Sequence, residues 1–234
     1  MKVLAIESSA VTASVAIMSE EVLIAEYTVN YKKTHSQTLL PMIEQICSMT
    51  EMDVKDCDYF AVSVGPGSFT GLRIGAATGK GLALVADKPM VSVPTLEGMA
   101  YNLYEDSRLI CPVMDAKRKH LYSGLYRFEQ RELVTVMDSS LISYEELTEK
   151  LNEINKEVVF VGDGIDVAGD YFKDNIKCDY SFAPPHIRTQ RAGSVAMAAF
   201  NMIKNNKVIN SDELKPDYLR PSQAERERGL KNQG

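Results

Sequence analysis

The sequence predicts an α/β protein made of two similar lobes, each a mixed sheet flanked by helices. Three observations predict it. Apolar runs of strand length alternate with stretches of helical period. The order three strands, helix, strand, helix is written twice along the 234 residues. In both halves a strand ends in Gly-x-Gly and hands over to a helix: Val62-Ser63-Val64-Gly65-Pro66-Gly67 is echoed by Val159-Phe160-Val161-Gly162-Asp163-Gly164.

In the first half, Met1–Ile6, Thr12–Met18 and Val22–Val29 are β-prone runs separated by short polar turns. His35–Met49 switches to helical period, with Leu39, Met42, Ile43 and Ile46 on one face. Pro41 inside that stretch predicts a kink or a late helix start. Tyr59–Val64 is a buried strand, Thr70–Ala86 a second helix and Met90–Val93 a short strand. In the second half, Leu109–Met114, Leu121–Phe128 and Leu133–Met137 are strands, Tyr144–Leu151 a helix, Val158–Val161 a strand and Ile165–Phe172 a short helix. Ala192–Lys204 is apolar at helical spacing through Val195, Ala198, Ala199 and Met202.

The doubled order is that of the actin, sugar-kinase and Hsp70-like (ASKHA) fold, in which two lobes face each other across a cleft. In that fold a helix such as 192–204 packs back on the first lobe. The expected division is an N-terminal lobe over 1–105 plus the helix at about 192–206, a C-terminal lobe over 106–190, and a tail over 207–234 that is loosely tethered after Asn210.

Composition narrows the function. Hydrophobic residues make up 45% and charged residues 25%, an ordinary globular mix. The net charge of −6, from 32 acidic and 26 basic residues, repels phosphate backbones and argues against strong RNA binding by this chain alone. Cys47, Cys57, Cys111 and Cys178 form no CxxC pair, which points to reduced, buried thiols. Glu7-Ser8-Ser9 interrupts the first apolar run, and no stretch reaches the roughly 18 apolar residues of a membrane helix. A soluble, cytoplasmic protein that meets no membrane is expected.

Four segments carry a family resemblance: HSQTLLPMI (His35–Ile43), GPGSFTGLRIGAATGKGLA (Gly65–Ala83), MDAKRKHLY (Met114–Tyr122) and PDYLRPSQAE (Pro216–Glu225). With them the chain resembles the TsaB (YeaZ) family over nearly its whole length. The resemblance implies a non-catalytic paralogue of the transferase TsaD. With TsaD and the ATPase TsaE, such a subunit supports transfer of a threonylcarbamoyl group, supplied by TsaC as threonylcarbamoyl-AMP, to the tRNA adenosine beside the anticodon. It also implies that tRNA is met only through the complex, and that the chemistry sits on TsaD.

The residues agree with that implication. The TsaD family holds its metal through an HxxxH pair, because imidazoles one turn apart converge on one ion. The matching stretch here is Val93–Met99, with Thr95 and Met99 at the histidine positions. His35, His120 and His186 are scattered, so no metal site is expected. The fold grips phosphate with small-residue hairpins after the first strand of each lobe. Here these are Glu7-Ser8-Ser9-Ala10, which lacks glycine, and Asp115-Ala116-Lys117-Arg118-Lys119, with long side chains. No cofactor is expected beyond weak nucleotide binding, for which Gly162-Asp163-Gly164 offers an adenosine contact. Glu7 and Asp115 read either as a retained fold signature that caps a turn or as residues with a catalytic role. Ser68 lies in Gly67-Ser68-Phe69-Thr70, not in a GxSxG elbow, so a serine peptidase is not supported.

The second helix carries Gly71, Gly75, Gly79 and Ala83 at every fourth position, hence on one face. Three helical glycines cost about 3 kcal/mol against alanine, an expense that close approach of another backbone offsets. That backbone belongs either to this chain's own sheet or first helix, or to a second subunit. The first helix is apolar beyond one stripe, through Leu39, Leu40, Met42, Ile43, Ile46, Cys47 and Met49. These features give a candidate partner interface of His35, Leu39, Leu40, Met42, Ile43, Ile46, Gly71, Leu72, Gly75 and Gly79. It would form a helix bundle with TsaD, or a two-fold homodimer when the chain is free. His35 either orients the first helix or lies at that contact. Lys117–His120 is a basic run, either a solvated loop or a guide for tRNA. Tyr218 and Leu219 are expected to pin the tail, which is also a possible contact for TsaE.

Two rivals to a scaffold remain at this stage. One is an enzyme of the same fold, an ATP-dependent phosphotransferase or a metallopeptidase. The other is a regulator that degrades or sequesters TsaD.

Overall fold

The computed structural model describes residues 1–31 and 34–219. The first lobe runs β1 (Lys2–Glu7), β2 (Thr12–Ser19), β3 (Leu23–Asn30), α1 (His35–Thr50), β4 (Tyr59–Gly65), α2 (Phe69–Ala86) and β5 (Met90–Pro94). After the short α3 (Thr95–Ala100), the second lobe runs β6 (Leu109–Asp115), β7 (His120–Glu129), β8 (Glu132–Ser143), α4 (Tyr144–Ile154), β9 (Val158–Val161), α5 (Ile165–Asn175) and β10 (Tyr180–Phe182). Helix α6 (Ala192–Lys204) follows.

The sheet orders are β3-β2-β1-β4-β5 and β8-β7-β6-β9-β10, so the two lobes share one topology. In each, an antiparallel meander continues through two parallel strands. This is the duplicated ASKHA arrangement. The echo of the two Gly-x-Gly turns has a backbone cause: Gly65 (φ +135°) and Gly162 (φ +119°) both sit where an L side chain is strained. A Cβ on Gly162 would overlap the Val113 carbonyl oxygen.

Each sheet is covered on both faces. Leu4, Ile6, Val15, Phe60 and Val62 face α1 and α2, while Val3, Ala5, Ala61 and Val91 face the alanine-rich side of α6. Helix α6 is also tied at its start: Arg191 pairs with Glu26 at 2.5 Å, and Glu26 and Ser14 accept the Gly193 and Ala192 amides. In the second lobe Phe160, Phe172, Leu147 and Leu151 build the core under α4 and α5. Helix α3 joins the lobes, with Leu96, Met99 and Ala100 packed on Ile110, Tyr126 and Val161.

Four local readings are corrected. Helix α1 starts at His35 and carries Pro41 internally, so the late start is not observed. Strand β8 extends to Ser143, through an Asp138-Ser139-Ser140 stretch that has turn composition. Its Ser139 hydroxyl bonds the buried Tyr126 hydroxyl at 2.8 Å, which holds the stretch in the ladder. Strand β10 and helix α3 went unread, being only three and six residues long. The tail is pinned further than expected: Ile209 pairs with Met90, Leu214 is buried in the first core, and the Asp217 amide donates to the Val64 carbonyl at 2.6 Å. No described helix is long and apolar enough to cross a membrane.

Candidate functional site

Two surfaces qualify: the cleft between the lobes and the outer side of α1 and α2.

The cleft holds a cavity of about 470 Å³ at the carboxyl ends of β1, β4 and β6. The first lobe contributes Ser9, Ala10, Gly67, Ser68 and Phe69, the second Met114, Asp115, Lys117, Tyr122 and Asp163, and the tail Asp217, Tyr218 and Leu219. The loop after β1 does not stand open to receive a phosphate. It is folded onto the start of α2. The Ser9 carbonyl accepts the Ser68 amide at 2.6 Å, and the Ser8 hydroxyl donates to the Gly71 carbonyl at 2.9 Å. Ser68 caps α2 through its hydroxyl, which accepts from the Gly71 amide at 3.3 Å.

Glu7 locks this loop. One carboxylate oxygen accepts from the Ser9 amide and the Ser9 hydroxyl, both at 2.6 Å, and the other accepts from the Ser63 hydroxyl. Burial pushes the carboxyl above its ordinary range, while the hydrogen bonds from Ser63 and Ser9 and the nearby His35 pull it partly back. The folded state therefore keeps a proton that the unfolded chain releases above 4.5, so stability falls as pH rises through that interval. Glu7→Gln keeps an acceptor for Ser9 and a polar partner for Ser63. Its denaturation midpoint is expected to fall less than the wild type's as pH rises above 4.5. Glu7→Ala strands the buried donors and is expected to cost about 2–4 kcal/mol in urea unfolding at low pH, and less as pH rises.

In the second lobe, Asp115 accepts from the Lys117 amide at 2.8 Å and pairs with the Lys117 ammonium. Asp163 accepts from the buried Gln190 side chain at 3.3 Å, and burial raises its carboxyl. Among the described residues no group of three His, Cys, Asp or Glu side chains comes together in metal-binding geometry. Thr95 and Met99, at the positions matched to the transferase histidines, are both buried in the joint between the lobes. Tyr218 lies on Phe69 with ring centres 4.5 Å apart, and its hydroxyl accepts from Arg73 Nε at 3.1 Å. The rest of the tail signature, Arg220 through Glu225 and Arg228, lies outside the described residues.

The expected partner interface needs correction in most of its members. Leu39, Ile43, Ile46 and Leu72 are buried in the first lobe's own core. The glycine stripe also faces inward. A Cβ on Gly71 would overlap the Ser8 carbonyl oxygen, one on Gly75 the Ser8 hydroxyl, and one on Gly79 would lie 2.5 Å from Val62. What approaches these glycines belongs to the same chain: the Ser8 carbonyl and hydroxyl of the loop after β1, and the Val62 side chain of β4. His35 is half-buried and turned the same way. Its Nε2 donates to the Ala10 carbonyl at 2.8 Å, so it ties α1 to the first loop. Met42 is half-buried, and Leu40 alone of the ten is exposed.

Other apolar side chains of the two helices are exposed. Leu40 (50% exposed), Met49 (67%), Leu84 (74%) and Val85 (68%) project into solvent. On α2, Ala77 and Gly81 are exposed one turn apart on the face that carries Leu84 and Val85, and a Cβ on Gly81 would meet nothing within 4 Å. In the sequence the outward residues Leu84, Val85, Ala77 and Gly81 are not separable from the inward stripe, because small and apolar residues lie on both sides of α2. Helix α2 is apolar or small on nearly its whole circumference, and that was the available signal.

Comparison with known proteins extends these observations. The family model described as "TsaD: tRNA N6-adenosine threonylcarbamoyltransferase" matches residues 22–228. The tRNA threonylcarbamoyladenosine biosynthesis protein TsaB of Bacillus subtilis (strain 168) is 31% identical over 225 residues, 96% of each chain. Its namesake from Escherichia coli (strain K12) is 26% identical, over 94% of this chain and 95% of the relative. The solved structure of YeaZ from Pseudomonas aeruginosa superposes with a TM-score of 0.80 at 21% identity, over 93% of this chain and 99% of the other, which shows the shared fold. On full-length identity, matched model and doubled topology together, the chain belongs to the TsaB (YeaZ) family of tRNA threonylcarbamoyladenosine biosynthesis proteins.

Proposed function

We propose that the chain is a non-catalytic scaffold subunit that binds TsaD and supports threonylcarbamoyl transfer to tRNA. One observation carries this reading: Leu84, Val85, Ala77 and Gly81 stand exposed together on the outward face of α2. Exposed apolar groups gathered in this way mark association surfaces. The small pair Ala77 and Gly81 would let a partner helix approach closely, which suits a bundle with the equivalent helices of a paralogue. When TsaD is absent, the same face pairs with a second copy about a two-fold axis.

The cleft supports the same reading. Its first loop is spent on capping α2, Glu7 is engaged by serines, and Asp115 is neutralised by Lys117. No cofactor is assigned to it. The chain acts in the cytoplasm, TsaE joins in a larger complex, and tRNA is engaged through the assembly, consistent with the net charge of −6.

The test is reconstituted modification of transcribed tRNA by the full set of proteins. Omitting this chain is expected to reduce the rate at least about tenfold, a barrier change of about 1.4 kcal/mol. Undiminished product without the chain would refute the proposal.

A further inference from the structure

We propose that Arg118 and Lys119, on the turn between β6 and β7, are a fixed contact for RNA phosphate. This deepens the reading above and rests on it. Lys117-Arg118-Lys119 is the one run of three consecutive basic residues in a chain of net charge −6. All three adopt left-handed backbone, with φ of 66°, 57° and 58°. Long side chains are disfavoured there and glycine or asparagine would fit with less strain, so bulky cations are held where folding alone would not choose them.

The turn is also rigid. The Ala116 amide donates to the His120 carbonyl at 3.1 Å, and the His120 amide to the Lys117 carbonyl at 3.2 Å. The Tyr144 amide donates to the Lys119 carbonyl at 3.2 Å, and His120 Nδ1 donates to the Arg118 carbonyl at 2.9 Å. The three cations then divide. Lys117 lines the cleft and is paired with Asp115. Arg118 and Lys119 are exposed and make no ion pair among the described residues.

The chemistry favours phosphate over an acidic protein surface. The apolar residues flanking the run, Ala116 and Leu121, are both buried, so the turn offers charge with no apolar anchor. Protein interfaces draw their strength from buried aromatic and aliphatic anchors, whereas phosphate contacts need only placed cations. Two cations on an acidic chain orient RNA on an assembly without binding it strongly alone.

The test compares wild type with Arg118→Gly/Lys119→Gly and with the charge-keeping Arg118→Lys/Lys119→Arg. Binding of transcribed tRNA is titrated against salt, on the chain alone at low salt and on the chain assembled with TsaD. The glycine variant is expected to bind roughly tenfold more weakly, with a log–log salt slope shallower by about 2. Its thermal midpoint is expected to be unchanged or raised by about 2–4 °C, since backbone strain is relieved. The charge-keeping variant should bind as wild type does. Unchanged affinity and slope in the glycine variant would overturn the proposal. A lowered midpoint would assign the turn a structural role, and loss of TsaD binding a protein contact, and each would likewise overturn it. Failure of the wild-type chain to bind TsaD would count against the scaffold reading alone, because the low-salt arm still tests the turn.

Discussion

A chain carrying Ala77→Arg with Leu84→Glu is expected to fold as the wild type does and to bind TsaD at least about a hundredfold more weakly. Both positions are exposed on α2, where substitutions typically change stability by within about 0.5 kcal/mol. At an interface the balance differs. Covering Leu84 contributes about 1.5–3 kcal/mol, and Ala77→Arg places a guanidinium where a close-packed helix leaves no room or partner for it. The loss therefore exceeds the roughly 2.8 kcal/mol that a hundredfold change requires. Titration calorimetry with TsaD, together with circular dichroism of the free variant, separates binding from folding. The lone variant is also expected to sediment as a monomer, where the wild type is expected to sediment as a dimer.

Gly71→Ala is expected to fail in the opposite manner, by destabilising the fold. The added methyl would overlap the Ser8 carbonyl oxygen, and backbone is not free to give way. Ser8 is followed by Ser9, whose amide and hydroxyl donate to Glu7 and whose carbonyl holds the start of α2. Shifting one link disturbs a buried network, which costs about 3 kcal/mol or more and lowers the thermal midpoint by roughly 6–12 °C. Gly81→Ala is the internal control. Nothing lies near its Cβ, so the variant gains about 1 kcal/mol of helix propensity in the free chain. One helix thus carries glycines of two kinds. A wild-type midpoint for Gly71→Ala, or a lowered one for Gly81→Ala, would reverse this assignment of faces.

The fold was legible because its signals are local. The strand period, the two helix periods and the doubled Gly-x-Gly turn each fit within a short window, and α6 and β9 were bounded at Ala192–Lys204 and Val158–Val161 from the sequence. What escaped depends on distant chain. Strand β10 has three residues and exists by pairing with β9. The direction of the α2 glycines is set by Ser8, which lies 63 residues earlier. A run of small residues reveals that something approaches closely, not which chain supplies it. Most of the residues named for the interface are therefore turned into the chain's own core. The first helix shows the same limit: its excess of apolar residues was visible, but Leu39 and Leu40 are adjacent in sequence and only one of them is buried.

The central claim is that this chain serves through its outer helical face and not through its cleft. The most direct measurement is the rate of tRNA threonylcarbamoylation by the reconstituted set with two variants in place of wild type. One carries Ala77→Arg/Leu84→Glu on the outer face, and the other carries Asp115→Asn/Asp163→Asn in the cleft. The cleft variant is expected to sustain the wild-type rate, while the outer-face variant is expected to leave no more than the rate seen without the chain. Full activity with the outer face altered, and collapse with the cleft carboxylates neutralised in a folded chain, would contradict the claim and restore an enzyme to the cleft.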